Sequence, residues 1–277
     1  MTQGQAAGPV SRFVEVGGCR LEYVELPAVV QDRPSLVFLH EGLGCVGMWR
    51  SFPNLVAART GCRTVVYSRR GYGGSDPAAG PRTVDYLHEE ALEVLPGLRR
   101  ALGLDRVVLV GHSDGASIAL IHAGAGWWPV DGVVVMAPHE FVEDITLAGI
   151  AAAVSDWSAG DRVSRLGRSH RDPEWVFRAW ADTWLSPAFR DWNIESYLQG
   201  IRCPVLAVQG EDDGFATMAQ LDAIAVKAVA APRVEQLRLA GCGHSPHRDR
   251  EAVVVDAITR FVSRLGRSRQ SGGGEDR

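Results

Sequence analysis

Three short segments carry residues able to do chemistry. Gly111-His112-Ser113-Asp114-Gly115 sets a serine between glycines, just after an apolar run and just before a stretch of small residues. On a tight strand–turn–helix elbow, the flanking glycines let the chain pass without Cβ clashes and leave the serine hydroxyl exposed. The helix that follows points its first N–H groups at any anion formed there. A serine hydroxyl also needs a base to take its proton and a carboxylate to orient that base. Gly241-Cys242-Gly243-His244 and Gly210-Glu211-Asp212-Asp213 each follow an apolar run, and they offer one histidine and two adjacent aspartates. His247 lies beyond Pro246, where a surface or supporting place is the better expectation. Together these residue types could carry out nucleophilic acyl transfer.

Such groups need a rigid frame. Apolar runs, most of them rich in β-branched residues, recur at Leu36–Leu39, Thr64–Tyr67, Val107–Val110, Val133–Met136, Val205–Val208 and Val234–Leu239. Most are near-continuous, as in strands buried on both faces of a parallel sheet. Arg12–Leu26 reads as a hairpin about Gly17-Gly18. Helical spacing covers Trp49–Arg59, Val84–Leu102, Thr217–Val229 and Arg250–Leu265, and Ser117–Ala125 is small and apolar all round. Strand and helix alternate, so the fold class is α/β: a mostly parallel twisted sheet with helices on both faces. The segment 141–200 breaks the rhythm and reads as a helical insertion. The core is then 12–140 and 201–266, with 1–11 and 267–277 expected to be disordered.

With these elements in this order, the chain resembles the α/β-hydrolase-fold superfamily, in its serine-dependent type with a helical cap. The resemblance spans Phe13 to Leu265 and rests on a nucleophile, an acid and a histidine arriving in that order after successive strands. It implies Ser113 as nucleophile and His244 as general base, with no metal and no cofactor. Members usually carry the acid in a G-x-x-D pattern, which falls on Gly210 and Asp213; Asp212 is the adjacent rival. The oxyanion would be met by two backbone N–H groups, those of Asp114 and of Gly42 in His40-Glu41-Gly42-Leu43-Gly44. Relatives place a glycine where Glu41 stands. Ser68-Arg69-Arg70-Gly71-Tyr72-Gly73-Gly74-Ser75 resembles the superfamily's D-x-R-G-x-G-x-S loop, with Arg70 on the usual arginine and Ser68 in place of the aspartate. Epoxide hydrolases and haloalkane dehalogenases of this fold use aspartate at the elbow, and Ser113 argues against both.

The insertion holds five of the eight tryptophans, Trp157, Trp175, Trp180, Trp184 and Trp192. A cap of this kind closes over the site in relatives. Most of its rings should pack its own core, with Trp180 and Trp184 as the candidates for touching substrate. Glu41 and Asp114, with Glu140 further along, could add negative charge near the pocket. Some superfamily members with an acidic residue after the serine bind a substrate amino group, so an amine-bearing substrate is one expectation. The leading reading is a hydrolase of a small ester, amide or lactone. C–C bond cleavage or a lyase or cyclase step on the same triad, or a ligand-binding member without turnover, are the alternatives.

Composition sets outer bounds. The 277 residues carry a formal net charge of −4, which gives no electrostatic footprint for nucleic acid or an anionic membrane. Five scattered cysteines form no C-x-x-C pair, which argues against a disulfide framework or zinc site and for a reducing compartment. The first residues lack the pattern of a signal peptide, so a cytoplasmic protein with a small-molecule substrate is expected. Homo-oligomerisation is left open.

Overall fold

The computed structural model describes residues 10–158 and 162–265. The disorder expected at 1–11 and 267–277 therefore lies outside the described residues, apart from Val10 and Ser11.

Eight strands form one sheet: β1 (Arg12–Val16), β2 (Cys19–Leu26), β3 (Ser35–Leu39), β4 (Thr64–Tyr67), β5 (Val107–His112), β6 (Gly132–Met136), β7 (Val205–Gly210) and β8 (Val234–Leu239). Their spatial order is β1-β2-β4-β3-β5-β6-β7-β8. β1 and β2 join antiparallel, β2 meets β4 antiparallel, and all later pairs are parallel. Gly17 and Gly18 both take positive φ (57° and 72°) in the β1–β2 turn, a backbone glycine adopts without a Cβ penalty.

Successive side chains of a strand face opposite sides of the sheet, and that alternation splits the core in two. Val37, Leu39, Leu109, Val133 and Val135 pack on one side, while Leu36, Phe38, Val110, Val134 and Met136 pack on the other. The second side is covered by α1 (Phe52–Thr60) together with the last helix. The first carries α2 (Tyr86–Glu89), α3 (Leu95–Ala101) and α4 (Asp114–Ala125). A π-helical stretch, Glu90–Val94, joins α2 to α3.

Between β6 and β7 come α5 (Asp144–Ser158), α6 (Arg162–Leu166), α7 (Pro173–Trp184) and α8 (Glu195–Leu198). The two ends of this insertion meet at a Phe141–Asn193 bridge, and Ile194 N–H donates to Glu140 C=O at 2.7 Å. α9 (Ala219–Lys227) follows β7, and α10 (Pro246–Asp249) and α11 (Glu251–Leu265) follow β8. The stripe Val254, Ile258, Phe261 and Val262 of α11 is buried. Each such side chain stabilises the fold by roughly 1.5–3 kcal/mol. Among the described residues no helix is long and apolar enough to cross a membrane.

Candidate active site

The residues singled out from sequence sit on loops at the carboxyl ends of β3, β5, β7 and β8, the edge of a parallel sheet where ligands bind in such folds. Ser113 opens α4 with φ 51° and ψ −118°, a strained conformation for a residue with a Cβ. Its N–H donates to Met136 C=O at 2.9 Å, which ties the elbow to the neighbouring strand. A Cβ on Gly115 would collide with the carbonyl of Leu39, and one on Gly111 with the carbonyl of Gly115. The elbow's glycines are therefore demanded by close backbone approach.

His244 Nε2 lies 3.0 Å from Ser113 Oγ, and His244 Nδ1 lies 2.9 Å from each carboxylate oxygen of Asp213. Asp213 also accepts from Phe215 N–H at 2.8 Å. Burial alone would raise the Asp213 pKa. The His244 hydrogen bond and charge and the Phe215 N–H outweigh it and hold the carboxyl below its ordinary value. An ionised Asp213 can only accept, so Nδ1 of His244 carries the ring proton and bare Nε2 faces the serine. The acid and base loops are pressed together at Gly210, where a Cβ would collide with Cys242 C=O. Asp212 is exposed, and its N–H donates to that same carbonyl at 2.9 Å. His247 lies away from the triad, buried against Trp49 and Phe52 with ring centroids at 5.0 and 5.4 Å.

A cavity of about 160 Å³ opens on this group, walled by Gly42, Leu43, Ile150, Trp180, Trp184 and Phe215 beside Ser113 and His244. Gly42 packs against the Trp180 indole, where a Cβ would collide. Other insertion rings pack among themselves: Trp157 stacks on Phe177 at 4.0 Å and Trp192 on Phe189 at 5.2 Å. A larger cavity, about 580 Å³, lies by the β1–β2 hairpin around Arg82 and Glu90 and holds none of the three triad residues. Ser113 and His244 border the smaller one.

Three acidic candidates are placed differently from the amine-binding expectation. Asp114 is buried with its carboxylate turned to Arg69 (3.2 Å) and Tyr86 OH (2.8 Å), and it does not line the cavity. Its charge is already met, so it is not offered to a substrate amine. Glu41 does border the cavity, but its carboxylate accepts from Leu43 N–H. Burial raises its pKa, against the lowering effect of that bond. Glu140 is fully buried and borders no part of this cavity; burial, then Glu195 and Glu143, push its pKa well up.

In the loop after β4 the arginine that packs under the site is not the expected Arg70. Arg70 is exposed, whereas Arg69 is buried, bonded to Asp114 and to Glu41 C=O at 2.9 Å, and packed over Tyr72 at 4.8 Å. The carboxylate missing at Ser68 arrives from β2: Glu22 accepts from Ser68 OH and Gly74 N–H, both at 2.8 Å. Sequence reading also passed over His139, whose ring lines the cavity. Its place three residues beyond Met136, at the end of a central strand, was the available signal.

A family model described as "Alpha/beta hydrolase family" matches residues 36–257, and the chain belongs to that family. It is 28% identical over 224 residues to "Serine hydrolase BPHL" of Homo sapiens, covering 75% of this chain and 74% of that protein. It is 38% identical over 124 residues to "Epoxide hydrolase 3" of Xenopus tropicalis, covering 44% of this chain. That match spans about a third of the relative's own length (32%). Among solved structures, the enol-lactonase from Burkholderia xenovorans LB400 superposes with a TM-score of 0.68 at 19% identity, over 91% of this chain and all of that one. At that identity the likeness speaks for the fold alone.

Proposed function

We propose that this chain is a serine hydrolase that cleaves a small ester, amide or lactone through an acyl-enzyme. The observation that carries the reading is the Ser113–His244–Asp213 hydrogen-bonded chain facing an aromatic-walled cavity. Ser113 Oγ attacks the scissile carbonyl while His244 Nε2 takes its proton. His244 then protonates the leaving group and activates water for deacylation. Asp213 fixes the ring tautomer and stabilises the imidazolium that forms.

The oxyanion meets the N–H of Asp114, first in α4 and so without an acceptor one helical turn back, and the N–H of Gly42. Ser113 supports an ester intermediate on a hydroxyl, whereas the resemblance gives epoxide hydrolases of this fold an aspartate at the elbow. The cavity is small beside pockets for drug-sized ligands, roughly 300–1,000 Å³, which favours a short acyl group. Five free, buried cysteines favour a reducing, cytoplasmic setting.

Labelling with a fluorophosphonate and hydrolysis of 4-nitrophenyl esters test the reading. Wild type should be labelled on Ser113 and turn over short esters, and Ser113→Ala should lose both. A folded wild type that is neither labelled nor active would overturn it in favour of a ligand-binding role.

A further inference from the structure

His139 is 2% exposed, and its ring stands in the wall of the Ser113 cavity. It is held on three sides. Ser117 OH donates to its carbonyl at 2.6 Å, Trp184 meets the ring edge-on at 5.1 Å, and the His244 ring lies 5.7 Å away. Among the described residues, neither ring nitrogen has a hydrogen-bond partner, and Nδ1 is shut off from any accessible space. Nε2 is therefore the nitrogen that reaches the cavity. A buried imidazole without a partner is costly to keep, and polar atoms aimed into an otherwise apolar pocket are what fixes a ligand's orientation. Burial, with the nearby His244, pushes the His139 pKa down to about 3, so the ring stays uncharged.

Three other polar side chains of the wall have partners. Glu41 accepts from Leu43 N–H, Thr146 OH donates to Phe215 C=O at 2.5 Å, and His112 Nε2 lies 2.7 Å from His244 C=O. An N–H at the sealed Nδ1 would be an orphaned donor, the rarer kind of unpaired polar group. This places the proton on Nε2 and makes His139 a donor toward the cavity.

We infer that His139 reads the substrate: its Nε2–H donates to an oxygen carried on the acyl chain a few bonds from the scissile carbonyl. The favoured substrates are then short oxo- or hydroxy-acyl esters, amides or lactones. This rests on the hydrolase reading above. It deepens that reading by giving the acyl chain a polar group that the triad itself does not require.

The test pairs 4-nitrophenyl pentanoate with 4-nitrophenyl 4-oxopentanoate, which differ by one oxygen, on wild type, His139→Leu and His139→Gln. Wild type should favour the oxo ester about tenfold in kcat/KM, the scale of leaving one donor unpaired. His139→Leu should erase the preference, the oxo ester losing about tenfold more kcat/KM than the plain ester loses. His139→Gln keeps an N–H and should retain a preference of at least about threefold.

Equal rates on both esters in wild type, or a preference that survives in His139→Leu, would overturn the inference with the serine mechanism intact. Fluorophosphonate labelling of the same samples separates the two readings. Wild type without labelling or turnover overturns the mechanism and this inference together. If His139→Leu alone loses labelling, its site has been damaged, and the ratio in His139→Gln decides: retained supports the inference, lost overturns it.

Discussion

Asp213 and Asp212 are neighbours in sequence with opposite surroundings: one is buried on His244, the other exposed. Replacing Asp213 with Asn removes the acceptor that holds the Nδ1–H tautomer. Asp213→Asn should lower kcat by about 10⁴-fold with the fold retained, while Asp212→Asn stays within about twofold; steady-state kinetics and circular dichroism on both variants check this. The G-x-x-D spacing made Asp213 legible in the sequence because a loop of that length is local. Arg69 was not legible, because its partner Asp114 stands 45 positions away and only the folded loop brings them together. Glu22 in the place of a loop aspartate was hidden for the same reason. Tyr86 belongs with them: its OH donates to Asp114 and accepts from Trp184 Nε1 at 3.0 Å, linking the elbow to α7. Tyr86→Phe leaves a buried acceptor and a buried donor without this partner. It should cost about 1–3 kcal/mol in urea unfolding, and a change under 0.5 kcal/mol would show the link to be idle.

At the scale of elements, strands were legible and helix detail was not. A strand buried on both faces is apolar at most positions, so β3, β4, β5, β6 and β7 stand out as short runs rich in Val. The helix expected over 84–102 instead starts at Tyr86 and holds the π-helical stretch Glu90–Val94. The Ala91 carbonyl inside that stretch lies 2.7 Å from His122 Nδ1 on α4, and Arg99 lies 2.8 Å from the other nitrogen of the same ring. That stretch meets its partner on another helix, a contact that local spacing does not reveal. The two glycine contacts at the site differ in the same way. At Gly115 a Cβ meets backbone of β3, which cannot yield; at Gly42 it meets the ring of Trp180, a side chain. Gly115→Ala should therefore cost about 3 kcal/mol, a fall of roughly 6–12 °C in Tm for a chain of this size. Gly42→Ala should leave Tm within about 2 °C but displace the indole, raising KM and shifting tryptophan fluorescence. Equal Tm values for the two variants would contradict this division between backbone and side-chain contact.

For the molecule as a whole, the buried histidines set the response to acid. His122, His139 and His247 are held neutral with pKa values of about 4, 3 and 3, each lowered first by burial, and burial likewise takes His40 and His112 well below 6.5. In the unfolded chain these rings titrate near 6.5. Below that pH the unfolded state binds protons that the native state refuses, so stability falls as pH drops from about 6.5 toward the folded values. Each ring contributes about 1.4 kcal/mol per pH unit in that window. Glu41 and Glu140 act in the opposite sense. Their raised folded pKa values make the native state the better proton binder above the ordinary carboxylate value, so acidification relieves them. Seven histidines have lowered pKa values, His88 and His170 with the five above, against the two raised carboxyls, so the histidines set the sign and stability falls on acidification. Asp213, with its lowered pKa, adds stability that is lost only at more acid pH still. The urea midpoint should therefore drop steeply between pH 6.5 and pH 5 while changing little from pH 7 to 8. His247→Phe, which fills the same aromatic niche without a titrating group, should flatten that slope by about one proton's worth. A midpoint independent of pH across the window would mean that the native state takes up these protons as readily as the unfolded chain.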